Sequence, residues 1–104
     1  MQVSVTARTT VSPQQKRRAA QRIEALEPLA SSPVLGAHVR IDRDDNPSIS
    51  RPYHVEGEID VNGHLVRAHV VGPSADAAID DLADRLERQL RDVADRRIDR
   101  KSVV

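Results

Sequence analysis

The sequence predicts an α+β fold of order β-α-β-β-β-α: a four-stranded mixed sheet in strand order 1-2-3-4, with two helices packed on one face. Three observations carry this prediction. Four segments alternate apolar and polar residues with period two, two others repeat their apolar residues at helical spacing, and Asn62-Gly63 marks a two-residue hairpin between the last two alternating segments.

The elements follow in order. In residues 2–8, Val3, Val5 and Ala7 face one way and Gln2, Ser4, Thr6 and Arg8 the other, the pattern of a half-buried strand. Ser12, Pro13 and Gln15 form a helix start: an N-cap, a residue pre-set for the first helical position, and the partner of a capping box. The helix is expected from 13 to about 27, with Ala19, Ala20, Ile23 and Leu26 on one face and Pro28 as its stop. Residues 34–42 alternate again, with Leu35, Ala37, Val39 and Ile41 inward. Asp44 to Pro52 is polar and holds two prolines, so it reads as a loop. The third strand, 53–61, turns Tyr53, Val55, Gly57, Ile59 and Val61 inward and His54, Glu56, Glu58 and Asp60 outward. Asn62 and Gly63 both tolerate positive φ, so a two-residue hairpin turn is expected there. The fourth strand, 64–71, has Val66, Ala68 and Val70 inward, and Gly72-Pro73-Ser74 breaks it. The second helix carries the stripe Ala75, Ile79, Leu82, Leu86, Leu90 and Val93 and is expected to reach about 97.

Topology follows from these faces. Each strand and helix has one apolar side, which two packed layers satisfy. A β-α-β start implies a right-handed crossover and parallel first and second strands. His38, Arg40, Arg67 and His69 would flank the acids of the third strand, and opposite charges across strands are favourable. Residues 1–98 are read as one domain and 99–104 as a tail or the start of a linker.

Composition narrows the function classes. The chain has 104 residues, 38% hydrophobic and 31% charged, with one Tyr, no Phe or Trp and no Cys. The core must be aliphatic, and disulfides and thiolate metal sites are excluded. No apolar run approaches the roughly 20 residues of a membrane span, so no membrane partner is expected and a cytoplasmic location is the default. The net charge of zero hides an uneven distribution: +4 over residues 1–40, −7 over 41–84 and +3 over 85–104. Two basic segments around an acidic middle point to an anionic partner.

Little in the sequence suggests catalysis or metal chemistry. His54, His64 and His69 lie on strands around the hairpin but lack a ligand spacing, and are read as exposed residues beside carboxylates. Asp42, Asp44 and Asn46 open like a calcium loop, but Pro47 stands where that loop needs Gly and Tyr53 where it needs Glu. No nucleophile elbow, phosphate-binding loop or dinucleotide fingerprint occurs. No catalytic residue, metal or cofactor is expected, and the chain is read as not an enzyme.

The cations carry more information. In the second helix, Asp81 and Arg85, Asp84 and Arg88, Glu87 and Arg91, and Asp92 and Arg96 stand acid-before-base at i,i+4, the orientation that stabilises a solvated helix. In the first helix, Lys16, Arg17, Arg18 and Arg22 have no acid at i±3 or i±4, and three of them crowd the positive end of the helix dipole. This cluster is expected to meet an external anion, with phosphate the leading candidate, rather than acids of the same chain. With a single aromatic residue, base stacking is nearly unavailable, so recognition of an RNA would run through its backbone and shape.

The run Ala77-Ala78-Ile79-Asp80-Asp81-Leu82-Ala83-Asp84-Arg85-Leu86-Glu87-Arg88-Gln89-Leu90-Arg91, with Leu-Glu-Arg-Gln-Leu its most specific part, resembles the second helix of the ribosome hibernation-promoting factors, also called ribosome-associated inhibitor A or sigma-54 modulation proteins. The opening strand with Arg8, the Ser12-Pro13 helix start, Arg22 and the element order fit as well, over roughly residues 2–97. The resemblance implies a domain that binds the small ribosomal subunit, alone or within the 70S ribosome, near the decoding centre. There it would block tRNA and mRNA and inhibit translation in stress or stasis. It implies rRNA contacts at Arg18 and Arg22 on the first helix, Arg85, Arg88 and Arg91 on the second, and Arg8 on the first strand; Lys16 and Arg17 join them from the charge argument. Family lysines fall on Ala25 and Asp92, and a family aromatic falls on Asp76. Long members carry a C-terminal dimerisation domain, and the charged run Asp95 to Lys101 resembles the start of a linker to one. Two alternatives stay open: a generic double-stranded-RNA-binding module, and a protein-interaction domain using Glu56, Glu58 and Asp60.

Overall fold

The computed structural model describes the backbone of residues 1–102 and the side chains of residues 1–94. The elements are β1 (Val3–Ala7), α1 (Pro13–Glu24), a 3-10 turn (Glu27–Leu29), β2 (Val34–Arg43), β3 (Tyr53–Val61), β4 (His64–Gly72) and α2 (Ala75–Ser102). They form one sheet in the order β1-β2-β3-β4, with β1 parallel to β2 and the other pairs antiparallel. The predicted fold class and strand order are those observed.

α1 begins with the full capping box: Gln15 donates its backbone N–H to Ser12 Oγ at 3.1 Å, and Ser12 donates its own to Gln15 Oε1 at 3.0 Å. The helix stops at Glu24, earlier than expected. Pro28 has no N–H for the Glu24 carbonyl and its ring would strike that oxygen, so the chain tightens into the 3-10 turn. α2 runs beyond the expected end near 97, to Ser102, through a stretch without Gly or Pro.

The core lies between the sheet and the helices and is wholly aliphatic. Ala19, Ile23 and Leu26 pack from α1's side, and Ala78, Ile79, Leu82, Ala83, Leu86 and Leu90 from α2, against Val39, Ile41, Val55, Ile59, Val61, Val66 and Val70. Among the described residues no polar or charged residue is buried. Gly57 sets the spacing between layers: a Cβ there would stand 2.9 Å from Leu82 Cδ2 and 3.0 Å from Leu86 Cδ1, so glycine lets α2 settle onto β3.

One strand residue faces opposite to expectation, and the hairpin adopts a particular turn. Leu35, expected inward, is 66% exposed. The β2–β3 register steps from Val34↔Val61 to Gly36↔Asp60, two residues against one, and this bulge turns Leu35 to the open face. At the hairpin, positive φ falls on Gly63 alone, at 82°, while Asn62 stays negative. The expected two-residue hairpin forms, with Val61 paired to His64 and the φ pattern of a type II turn.

Gln89 links the second layer to the sheet edge. Its Nε2 donates to the Arg67 carbonyl at 2.6 Å and its Oε1 accepts from the Arg67 N–H at 3.4 Å. One side chain thus supplies what a neighbouring strand would give the exposed edge of β4.

Candidate RNA interface on the helix pair

α1 and α2 lie side by side on the sheet and run in the same direction. Arg18 pairs with Asp76 and Asp80, and Arg22, one turn later, with Asp80 and Asp84, so positions advance together along both helices. The cause is the spacing of the charges. Arg18 and Arg22 are four apart, Asp76, Asp80 and Asp84 are four apart, and residues at that interval share a helix face.

Asp80 sits at the centre of this ladder. Arg18 Nη2 donates to both of its carboxylate oxygens, at 2.9 and 3.0 Å. Arg22 Nε lies 3.3 Å from the same Oδ1, close enough for charge attraction, yet it is buried and makes no hydrogen bond. One carboxylate is shared by two guanidiniums and aligned with only one. The outer rungs are looser: Arg18 Nε to Asp76 is 3.9 Å and Arg22 Nη2 to Asp84 is 3.7 Å.

The expectation that the first-helix cations lack acids of the same chain is therefore corrected for Arg18 and Arg22. Neither arginine has an acid at i±3 or i±4 on its own helix, whereas the neutralising acids stand more than fifty residues away on the other. Asp76, Asp80 and Asp84 are the residues that spacing along one helix misses; the matching four-residue spacing on both helices was the available signal.

The remaining cations differ among themselves. Arg85 Nε lies 3.7 Å from Asp81 and Arg91 Nε 3.9 Å from Glu87, two of the expected pairs along the helix. Asp84 turns toward Arg22, so the expected partner of Arg88 is engaged elsewhere. The Asp92–Arg96 pair involves a side chain outside the described residues. Among the described residues, Lys16, Arg17 and Arg88 are exposed and make no ion pair.

Arg8 stands apart from the others. It is exposed at the end of β1, where its N–H donates to the Ile41 carbonyl at 2.9 Å. Its side chain lines a cleft on the open sheet face with Arg40, Asp42, His54, Glu56 and His69, across the sheet from the helices. That face is a mixed-charge surface, with Arg67 3.1 Å from Glu58 and Ser4 Oγ 3.0 Å from His38 Nδ1. Among the described residues no group of three or more His, Asp or Glu is placed to hold a metal ion, and no helix is long and apolar enough to cross a membrane.

Fold and site together define a small two-layer α+β module whose distinctive surface is a charged helix pair. A family model described as "Sigma 54 modulation protein / S30EA ribosomal protein" matches residues 3–98. The chain belongs to this ribosome-associated family. Among solved structures it is similar to the N-terminal domain of Protein Y from Thermus thermophilus, with 21% identity, a TM-score of 0.73, and coverage of 89% of this chain and 99% of that one. It is also similar to a ribosomal subunit interface protein from Coxiella burnetii, with 15% identity, a TM-score of 0.74, and coverage of 90% and 98%. These likenesses establish the fold. A search of curated protein sequences finds no match.

Proposed function

We propose that this chain is a ribosome hibernation domain acting in the cytoplasm: it binds the small ribosomal subunit near the decoding centre, free or in the 70S ribosome, and inhibits translation by occupying the path of tRNA and mRNA. Family membership supports the ribosome as partner. The observation that carries the RNA-facing surface is that Lys16, Arg17 and Arg88 are exposed on the helix pair and pair with no acid among the described residues. Exposed cations left unpaired by the fold are available for phosphate.

The proposed contacts divide by what the fold does to them. Lys16, Arg17 and Arg88 engage phosphates at no internal cost. Arg85 and Arg91 exchange a weak partner along the helix, and Arg18 and Arg22 a stronger one across it. Arg8 faces the other way and would touch a different segment of rRNA, which suits a protein held within a channel rather than against a flat surface. Residues 1–98 form the ribosome-binding unit in this proposal, and 99–104 lead toward any further domain.

The test is co-sedimentation with purified small subunits and 70S ribosomes over a salt series, followed by competition with initiator tRNA. Binding that weakens steeply with salt and is mutually exclusive with tRNA is expected. Absence of binding at low salt, or simultaneous occupancy with tRNA, would refute the mechanism. Equal affinity for an isolated RNA duplex would favour the generic double-stranded-RNA module instead.

A further inference from the structure

The ladder between the helices stands on the surface that the proposed function directs at RNA. Three aspartates at one face of α2 meet the two arginines of α1 that the proposed function directs at phosphate. All five side chains are between 41% and 63% exposed, so the pairs lie at the surface where RNA would arrive, not in the core. A carboxylate and a phosphate present the same thing to a guanidinium, a pair of anionic oxygens in one plane. Asp80 already holds Arg18 by both oxygens, as a phosphodiester would.

We propose that Asp80, flanked by Asp76 and Asp84, is a specificity-determining residue: it occupies the phosphate-binding faces of Arg18 and Arg22 and releases them only to RNA that is held by other contacts at the same time. The inference rests on the reading that this helix pair binds RNA. A carboxylate built into the neighbouring helix competes at a high effective concentration. A phosphate arriving alone on a loosely bound strand loses that competition. A phosphate fixed beside the helix pair, because Lys16, Arg17 and Arg88 already hold its neighbours, competes on equal terms and wins. The geometry favours exchange over permanent pairing. Arg22 Nε is aimed at no acceptor although Asp80 is 3.3 Å away, and the Asp76 and Asp84 rungs are at 3.9 and 3.7 Å. Held this way, two of the cations are silent toward stray polyanions, and the chain's neutral net charge supports the same discrimination.

The test measures the affinity of wild type, Asp80→Asn and Asp60→Asn for a short RNA duplex of arbitrary sequence, with wild-type binding to purified small subunits followed in parallel. Asp60→Asn makes the same change in net charge on the open sheet face, where it touches neither helix, and so reports the effect of bulk charge alone. Asp80→Asn is expected to bind the duplex about three- to five-fold more tightly, the worth of one exposed ion pair released, while Asp60→Asn changes it less than about two-fold. Asp84→Asn, which removes only an outer rung, should move in the same direction by less. Thermal melting of each variant confirms that the fold persists. If Asp80→Asn gains no more than Asp60→Asn, the inference falls, whatever the subunits show. If the duplex gain appears but wild type ignores small subunits, the exchange stands and the ribosome reading falls; if wild type binds subunits and the gain is absent, the reverse holds.

Discussion

Lys16→Ala/Arg17→Ala is the variant that most directly tests phosphate recognition by the first helix. Both side chains are exposed and neither makes an ion pair, so their removal breaks nothing inside the molecule. Stability should stay within about 0.5 kcal/mol of wild type, as for other surface changes, with alanine a good helix former at both sites. The affinity should not. If each cation neutralises one rRNA phosphate, each adds about 0.8 to the slope of log affinity against log salt. Two of them are then worth about 1.6 log units, or roughly 40-fold, near 0.1 M salt, and only about 3-fold near 0.5 M. Filter binding or co-sedimentation with small subunits at several salt concentrations reads both the loss and its salt dependence. A loss that is the same at every salt concentration would mean that the two residues act through shape rather than charge, and no loss would remove α1's outer face from the interface. Reversing Arg18 and Arg22 to glutamate is a poorer experiment. It would set two new carboxylates against Asp76, Asp80 and Asp84 and confuse lost binding with lost helix packing.

Three further outcomes test the fold that positions these cations. Gly57→Ala places a methyl 2.9 Å from Leu82 Cδ2 and should cost about 1–3 kcal/mol in denaturant unfolding, because the buried ends of Leu82 and Leu86 must leave their packed positions. Ser12→Ala removes one bond of the capping box and leaves the other without its reciprocal partner; a loss of about 1 kcal/mol is expected by the same measurement. Gln89→Ala frees both backbone groups of Arg67 and should speed amide hydrogen exchange there at least several-fold, with a stability loss of about 1 kcal/mol at most.

The architecture was legible because its determinants are local or strictly periodic. Val55, Ile59 and Val61 face inward on β3 for the same reason that Glu56 and Asp60 face outward, the two-residue pleat, and that pattern is written in adjacent letters. Ser12 and Gln15 announce their helix within four positions. Local pattern fails where one residue shifts a register, and it leaves open what a single backbone angle decides. The bulge before Gly36 inverts Leu35 without disturbing the alternation on either side. At Asn62-Gly63 the two letters permit either turn, and the strands they join select one.

The candidate site was legible in its cations and illegible in their partners, and the difference is one of distance along the chain. Searching i±3 and i±4 finds Asp81 for Arg85 and Glu87 for Arg91, since those pairs lie on one helix. It cannot find Asp80 for Arg18, which are brought within 2.9 Å only because the β1–β2 crossover and the β3–β4 hairpin set two helices parallel on one sheet face. Strand order therefore decides which charges meet, and charge spacing decides whether they match once they do. Arg18 and Arg22 are thus cations by sequence and, by fold, the outnumbered partners of three aspartates. Counting charged residues overstates the surface that RNA meets, and the positive charge the helix pair most readily offers is that of Lys16, Arg17 and Arg88, which have no ion-pair partner among the described residues.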